Sequence, residues 1–343
     1  MKRIVFFLLI YISFFMSFSA SAEEVQKGQF LGAKQVGHPG WFRDSFLDLA
    51  EDVTELAENN QGLAVYFYQN ACPYCAKLIN TNFGNPVLVN RLQKSYQVLA
   101  INMWGDREVV DLDGRELTEK EMAARWKVQF TPTFIFLDQT GKVAIRINGY
   151  RDISSFHAAL DYLEAYPKGG LSYREYITQK NKPDSGALIA EEFFAEPPYA
   201  LIRGSGSSEY LAVVFEAVEC NACKDLHKVM QYDVVKTRFK KMETVQLDRY
   251  SDVPVLTPQG KKTTARQWAD SLGVDYLPYI VIFAPDGQQI IRKEGMLKAF
   301  HTEGILEYAL SESWKTQPSF QRFLEAYADT EREKGRDVDL WQD

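Results

Sequence analysis

All four cysteines of this sequence fall in two C-x-x-C pairs, with none left over. Cys72 and Cys75 lie in "NACPYCAKL", and Cys220 and Cys223 lie in "VECNACKDL". Each pair follows an apolar run, "LAVYFY" or "LAVVF", that reads as a strand, and each opens a segment of helical character. A cysteine at the start of a helix meets unpaired N–H groups and the positive end of the helix dipole. Both favour the thiolate near neutral pH. A thiolate placed there can attack a substrate disulfide, and a second thiol one turn on can resolve the mixed disulfide.

Other chemistries compete for the same residues. A c-type haem needs His directly after the pair, and Ala76 and Lys224 stand there instead. An all-thiolate zinc site would need both pairs, and so two halves of the chain folded against each other. Cys220, Cys223 and His227 have the helical spacing to take a soft ion such as Cu(I). The simpler reading of His227 is an exposed residue on a helix. A structural staple fits the first pair poorly, because so small a ring constrains little of the unfolded chain. Three readings follow: a thiol–disulfide oxidoreductase acting without a cofactor on protein disulfides and thiols, a copper-handling protein, or a disulfide-bonded scaffold that never turns over.

The elements that must hold the cysteines occur twice. "DLDGRELTEKEMAARWKVQFTPTFIFLDQTGKVAIRINGY" follows the first pair and "VLTPQGKKTTARQWADSLGVDYLPYIVIFAPDGQQIIRKEGM" the second. Gly114 to Gly260, Pro132 to Pro278 and Gly141 to Gly287 are all 146 residues apart. Each copy reads strand, helix, strand, helix, strand, strand, helix, which is an α/β unit with a mixed sheet. "FTPTFIF" and "YLPYIVIF" each set a proline before a strong strand, where a cis-proline could hold backbone beside the cysteines. A further helix, "WFRDSFLDLAEDVTELAENN", is expected before the first copy, with Phe42, Phe46, Leu49 and Val53 on its apolar face. Helical matches at 171–177 and 319–324 extend the repeat. The organisation is therefore a leader at 1–22, a first domain at 39–180, an exposed breaker-rich linker at 181–207, a second domain at 208–330 and a frayed polar tail at 331–343.

The leader, "MKRIVFFLLIYISFFMSFSASAEEVQ", has a positive start, an apolar core and a small-residue "ASA" site. It reads as a cleavable signal peptide, so the mature chain is expected to be periplasmic, with no transmembrane segment. Outside the cytosol disulfides persist, and thiols need a dedicated electron donor. The net charge of −7, with no basic block, argues against nucleic acid as a partner.

"NACPYC" opening a helix, "VQFTPTFIFLDQTGK" and Gly149 after the last strand resemble the thioredoxin superfamily. The first copy is most similar to SoxW-like periplasmic thioredoxins. The resemblance implies two tandem thioredoxin-like folds, each a central mixed sheet flanked by helices. It implies Cys72 as nucleophile, Cys75 as resolving thiol and the Thr131–Pro132 dipeptide beside them, with Pro73 and Tyr74 tuning the potential. Cys220, Cys223 and Pro278 form the second set. It also implies a reductase recharged by a membrane electron donor of the CcdA type. The chain departs from the family pattern where a buried Asp usually stands, six residues before the nucleophile. Tyr66 and Val214 occupy that place. Glu219 precedes Cys220 and should oppose its ionisation. Glu216 reads as a solvated edge charge, with a proton acceptor as the other option, and Leu277 replaces the threonine before the second proline. These changes mark the second pair as the slower or more specialised couple.

Overall fold

The computed structural model describes residues 26–342, apart from 36, 181–185, 205–208 and 296. The leader at 1–22 lies outside the described residues. A short strand β1 (Phe30–Leu31) precedes helix α1 (Leu49–Glu58), strand β2 (Gly62–Tyr68) and helix α2 (Pro73–Lys77), which runs into a π-helical turn at Leu78–Asn82. Then come α3 (Pro86–Ser95), β3 (Tyr96–Asn102), β4 (Glu108–Val110), β5 (Glu116–Thr118), α4 (Glu119–Arg125), β6 (Thr133–Leu137), β7 (Val143–Asn148), α5 (Ile153–Gly169) and α6 (Tyr173–Lys180). The second half holds β8 (Tyr199–Ala200), β9 (Leu211–Glu216), α7 (Asn221–Met230), α8 (Asp233–Phe239), β10 (Glu243–Asp248), β11 (Pro254–Leu256) and β12 (Lys262–Thr264). It closes with α9 (Ala265–Leu272), β13 (Tyr279–Phe283), β14 (Gln289–Glu294), α10 (Ala299–Leu310), α11 (Phe320–Glu333) and β15 (Val338–Asp339).

These elements build two mixed four-stranded sheets, β3-β2-β6-β7 and β10-β9-β13-β14. In each, the strand before the cysteines pairs parallel to one neighbour and antiparallel to the other. The repeat holds to the single residue: Phe134 faces Ile147 across one edge pair, and Ile280 faces Lys293 across the other. Alternation along β2 sends Ala64 and Tyr66 to the face covered by α3 and α5, and Leu63, Val65 and Phe67 to the face covered by α1 and α4. β9 divides in the same way, with Ala212 and Val214 under α7 and α10 and Val213 and Phe215 under α9. Among the described residues no helix is long and apolar enough to cross a membrane.

Three expectations about the edges of the domains are corrected. The helix before β2 begins at Leu49. Leu47 has a positive φ of 67°, and the Asp48 side chain accepts the N–H groups of Ala50 and Glu51. Phe46 is fully exposed, and Phe42 packs with Trp41, Tyr66 and Phe83. The described end of the linker belongs to the second domain: β8 pairs with β11, Leu201 is buried, and the Ala195 N–H bonds to the Thr244 carbonyl. The polar tail is not frayed. β15 pairs parallel with β1, Leu340 is buried, and Arg336 binds the buried carboxylate of Glu303 at 2.9 Å. Its apolar residues, sparse in sequence, are all spent on packing.

Candidate active site

Both cysteine pairs sit where strand turns into helix. Cys72 caps α2 and Cys220 caps α7, each in extended backbone. In each pair the first sulfur accepts the backbone N–H of the second cysteine at 3.1 Å. That donor favours the first sulfur as a thiolate. Pro73 takes the first helical position of α2, where its missing N–H costs nothing. The pairs are joined as disulfides, with Cα separations of 5.2 and 5.1 Å. The Thr131–Pro132 and Leu277–Pro278 peptides are both cis. Thr131 Oγ1 lies 3.4 Å from Cys72 Sγ, so the threonine before the first proline touches the first sulfur of the pair.

The two pairs differ in access, a property on which their flanking residues are silent. Cys72 and Cys75 are both buried, covered by the second domain. Tyr74 is also buried, and its hydroxyl accepts the Lys298 N–H at 2.8 Å. Its ring packs edge-on against His301 (5.1 Å) and Trp341 (5.2 Å). Tyr74, expected to tune the potential, is thus also a docking residue. Phe130 meets Phe320 at 5.5 Å, and Gln321 bonds across to Gln69 and to the Gln129 carbonyl. Cys220 is only half-buried and opens into a cleft of about 620 Å³ between the domains. Pro278 follows Leu277 at the rim of that cleft. Glu219 is exposed beside it, where water and salt blunt its repulsion of a Cys220 thiolate.

The difference follows from facing copies that are not identical. Asn148 and Glu294 occupy equivalent places and bond to each other at 3.3 Å, so the domains meet reciprocally. α10 of the second domain covers Cys72, while α5 and α6 of the first border Cys220. On one side Tyr74 and His301 fill the space. Their counterparts by the repeat, Ala222 and Ser155, leave it open on the other.

Two residues read as solvated from sequence are buried and paired. Glu216 is 1% exposed and His227 5%. His227 Nε2 lies 3.0 Å from Glu216 and Nδ1 lies 2.8 Å from Glu191. Both ring nitrogens are therefore engaged, which removes His227 as a ready copper ligand beside Cys220 and Cys223. Among the described residues no group of three or more His, Cys, Asp or Glu is placed to hold a metal. Burial alone would lower the His227 pKa, but the two carboxylates outweigh it and the net shift is upward. Tyr66 and Val214 are buried and carry no carboxylate. Glu216 lies two residues beyond Val214, on the same face of β9, and His227 lies one turn past Cys223 on α7. A carboxylate–imidazole pair thus lies one helical turn from the second couple, where the first copy has Tyr68 and Ile79. The strand-end position of Glu216 concealed this, because the residues that bury it come from α7, β10 and the segment at 186–195.

Sequence reasoning missed Lys293 and His301. Both lie at the first couple although the second domain supplies them. Lys293, 3% exposed, lines with Cys72, Thr131, Gly149 and His301 a cavity of about 30 Å³. Its one visible signal is a lysine on a buried strand position where the first copy has Ile147.

The thioredoxin-like domain family matches residues 49–164 and again 198–310, more than half of the chain. The chain belongs to this family, and its two pairs make it a thiol–disulfide oxidoreductase. No curated protein sequence matches it significantly. Among solved structures it is similar to a thioredoxin-fold protein from Helicobacter pylori, at 16% identity and a TM-score of 0.35, over 42% of this chain and 94% of that one. A putative disulphide-isomerase from Bacteroides thetaiotaomicron matches at 19% identity and a TM-score of 0.30, over 40% and 100%. A thioredoxin from Thermus thermophilus matches at 24% identity and a TM-score of 0.28, over 36% and 87%. Likeness at this level carries nothing about substrates.

Proposed function

We propose that this oxidoreductase works outside the cytosol as a reductase of protein disulfides, with Cys220 as the sulfur that partners reach. The half-exposure of Cys220 in the cleft, against the burial of Cys72, carries that assignment. The N-terminal leader supports export to the periplasm, and the likeness of the first copy to SoxW-like proteins supports the reducing direction. In this scheme a membrane donor of the CcdA type supplies electrons. The reduced Cys220 thiolate attacks a partner disulfide, one partner sulfur leaves as thiol, and Cys223 then displaces the other while the pair closes to a disulfide. A Cys223→Ala protein expressed in its exported compartment should accumulate mixed disulfides through Cys220. Trapping through Cys72 in a Cys75→Ala protein, with none through Cys220, would move the partner-facing role to the first couple. No trapping by either variant would sink the reading.

A further inference from the structure

The site at Cys72 is built from two domains. The first supplies Cys72, Thr131 and Gly149; the second supplies Lys293, His301 and Leu297. Lys293 Nζ lies so close to Gly149 that a Cβ there would stand 2.8 Å from it. The same ammonium is 5.3 Å from the centre of the Phe130 ring and donates to the Glu294 carbonyl oxygen. Among the described residues no carboxylate side chain lies in salt-bridge contact with it. The Glu294 carboxylate, its sequence neighbour, is held by Arg151 at 2.8 Å and by Asn148. The titratable and charged groups around Lys293 are therefore Arg151, Glu294, His301, Tyr150 and the sulfurs.

Nothing in the fold requires a lysine at this place. The equivalent residue of the other copy is Ile147, buried opposite Phe134 as Lys293 is opposite Ile280. Burying an ammonium where the repeat accepts isoleucine is costly unless an anion arrives beside it. An anion that the chemistry of this site creates is the Cys72 thiolate.

We infer that Lys293 of the second domain is the charge partner of the Cys72 thiolate, so that the second domain sets the redox poise of the first couple. With the disulfide closed, burial first and the nearby Arg151 second push the Lys293 pKa down to about 7, so the amine is partly neutral near neutrality. On reduction by two equivalents of a thiol, two electrons enter, the Cys72–Cys75 bond breaks, and the donor leaves as its disulfide. One of the two protons goes to Cys75, and the other is held by Lys293 as ammonium facing the Cys72 thiolate. His301, held neutral with its pKa near 4 by burial and by Lys293, adds no competing charge. Lys293 acts here as a positioning residue, through the charge of Cys72.

This inference rests on the oxidoreductase reading, but its test needs no partner protein. In the full chain with Cys220→Ser and Cys223→Ser, only Cys72 and Cys75 exchange with glutathione. Lys293→Ile, which copies the residue of the first repeat, should shift that equilibrium at least tenfold toward the disulfide. Tenfold corresponds to about 30 mV toward a more negative potential. The thiolate absorbance at 240 nm of the reduced protein should titrate about one pH unit higher than in the parent. Lys293→Arg should restore both. Gln321→Ala, which loosens the same interface without changing charge, should reproduce neither. An unshifted equilibrium in Lys293→Ile overturns the inference, as does an equal shift in Gln321→Ala. If Lys293→Ile does not fold, the parent decides: a Cys72 thiolate titrating at the ordinary thiol value of about 8.5 overturns it as well. Failure of partner trapping, with the Lys293 effect intact, would instead count against the proposed function alone.

Discussion

His227 carries opposing influences: burial works against its charge, Glu216 and Glu191 work for it, and the carboxylates win. A raised folded-state pKa stabilises the protein fully below the ordinary histidine value of 6.5, and that contribution is lost as pH rises through the raised value. The advantage of the parent over His227→Gln in urea unfolding should therefore be greatest below pH 6.5 and shrink above it. His227→Leu is harsher. Among the described residues it leaves the buried Glu216 with Gln246 as its one side-chain donor, and should cost about 3–5 kcal/mol at neutral pH. One oxygen of Glu216 is already buried without a partner, so little spare hydrogen bonding remains to absorb the loss.

At the scale of elements, the C-terminal segment does more than close the second domain. α11 buries Phe320, Phe323, Leu324, Tyr327 and Ala328, a helical stripe that packs on α10. Gly304 on α10 permits the approach, because a Cβ there would lie 2.4 Å from Leu324 Cδ1. β15 and Trp341 then fold back to β1 and to Tyr74. A chain ending after residue 333 should keep both domains but uncover the first couple. Reduction of Cys72–Cys75 by dithiothreitol should quicken by about tenfold or more, read by quenched thiol labelling, while the Cys220 couple keeps its rate. Equal rates before and after truncation would show that the tail does not guard the site.

For the whole molecule, the reciprocal interface is the main question. Arg151 is buried, and its charge is met by Glu294 at 2.8 Å, while its guanidinium lies 3.7 Å from the centre of the Tyr276 ring. Glu294→Ala would strand that charge between the domains, at a cost of about 3–5 kcal/mol. The expected result is a calorimetric melt that separates into two transitions, together with faster reduction of the Cys72 couple. A single transition with unchanged reduction would mean that the docking does not depend on this ion pair. Arg174 reinforces the same contact through Asp275 and the Asp270 carbonyl, both at 2.7 Å, so the domains meet across a polar rim around an aromatic centre.

The repeat, the mixed sheets and the placing of each cysteine pair between strand and helix were legible in the sequence, because alternation, helical periodicity and a constant offset are local patterns. Boundaries were less legible. Phe46 looks like a core residue by spacing, yet Asp48 starts the helix beyond it. Glu216 and His227 look solvated by type, yet residues distant in sequence bury and pair them. The access of the two couples could not be read at all. It depends on which side chains meet when one copy faces the other, where Tyr74 and His301 fill one side and Ala222 and Ser155 leave the other open. Sequence alone determined that the chain has two C-x-x-C couples on one repeated scaffold. Only the tertiary structure decided which couple is covered, which opens to a cleft, and that Lys293 of one domain lines the same cavity as Cys72 of the other, because burial and charge pairing are properties of packed surfaces.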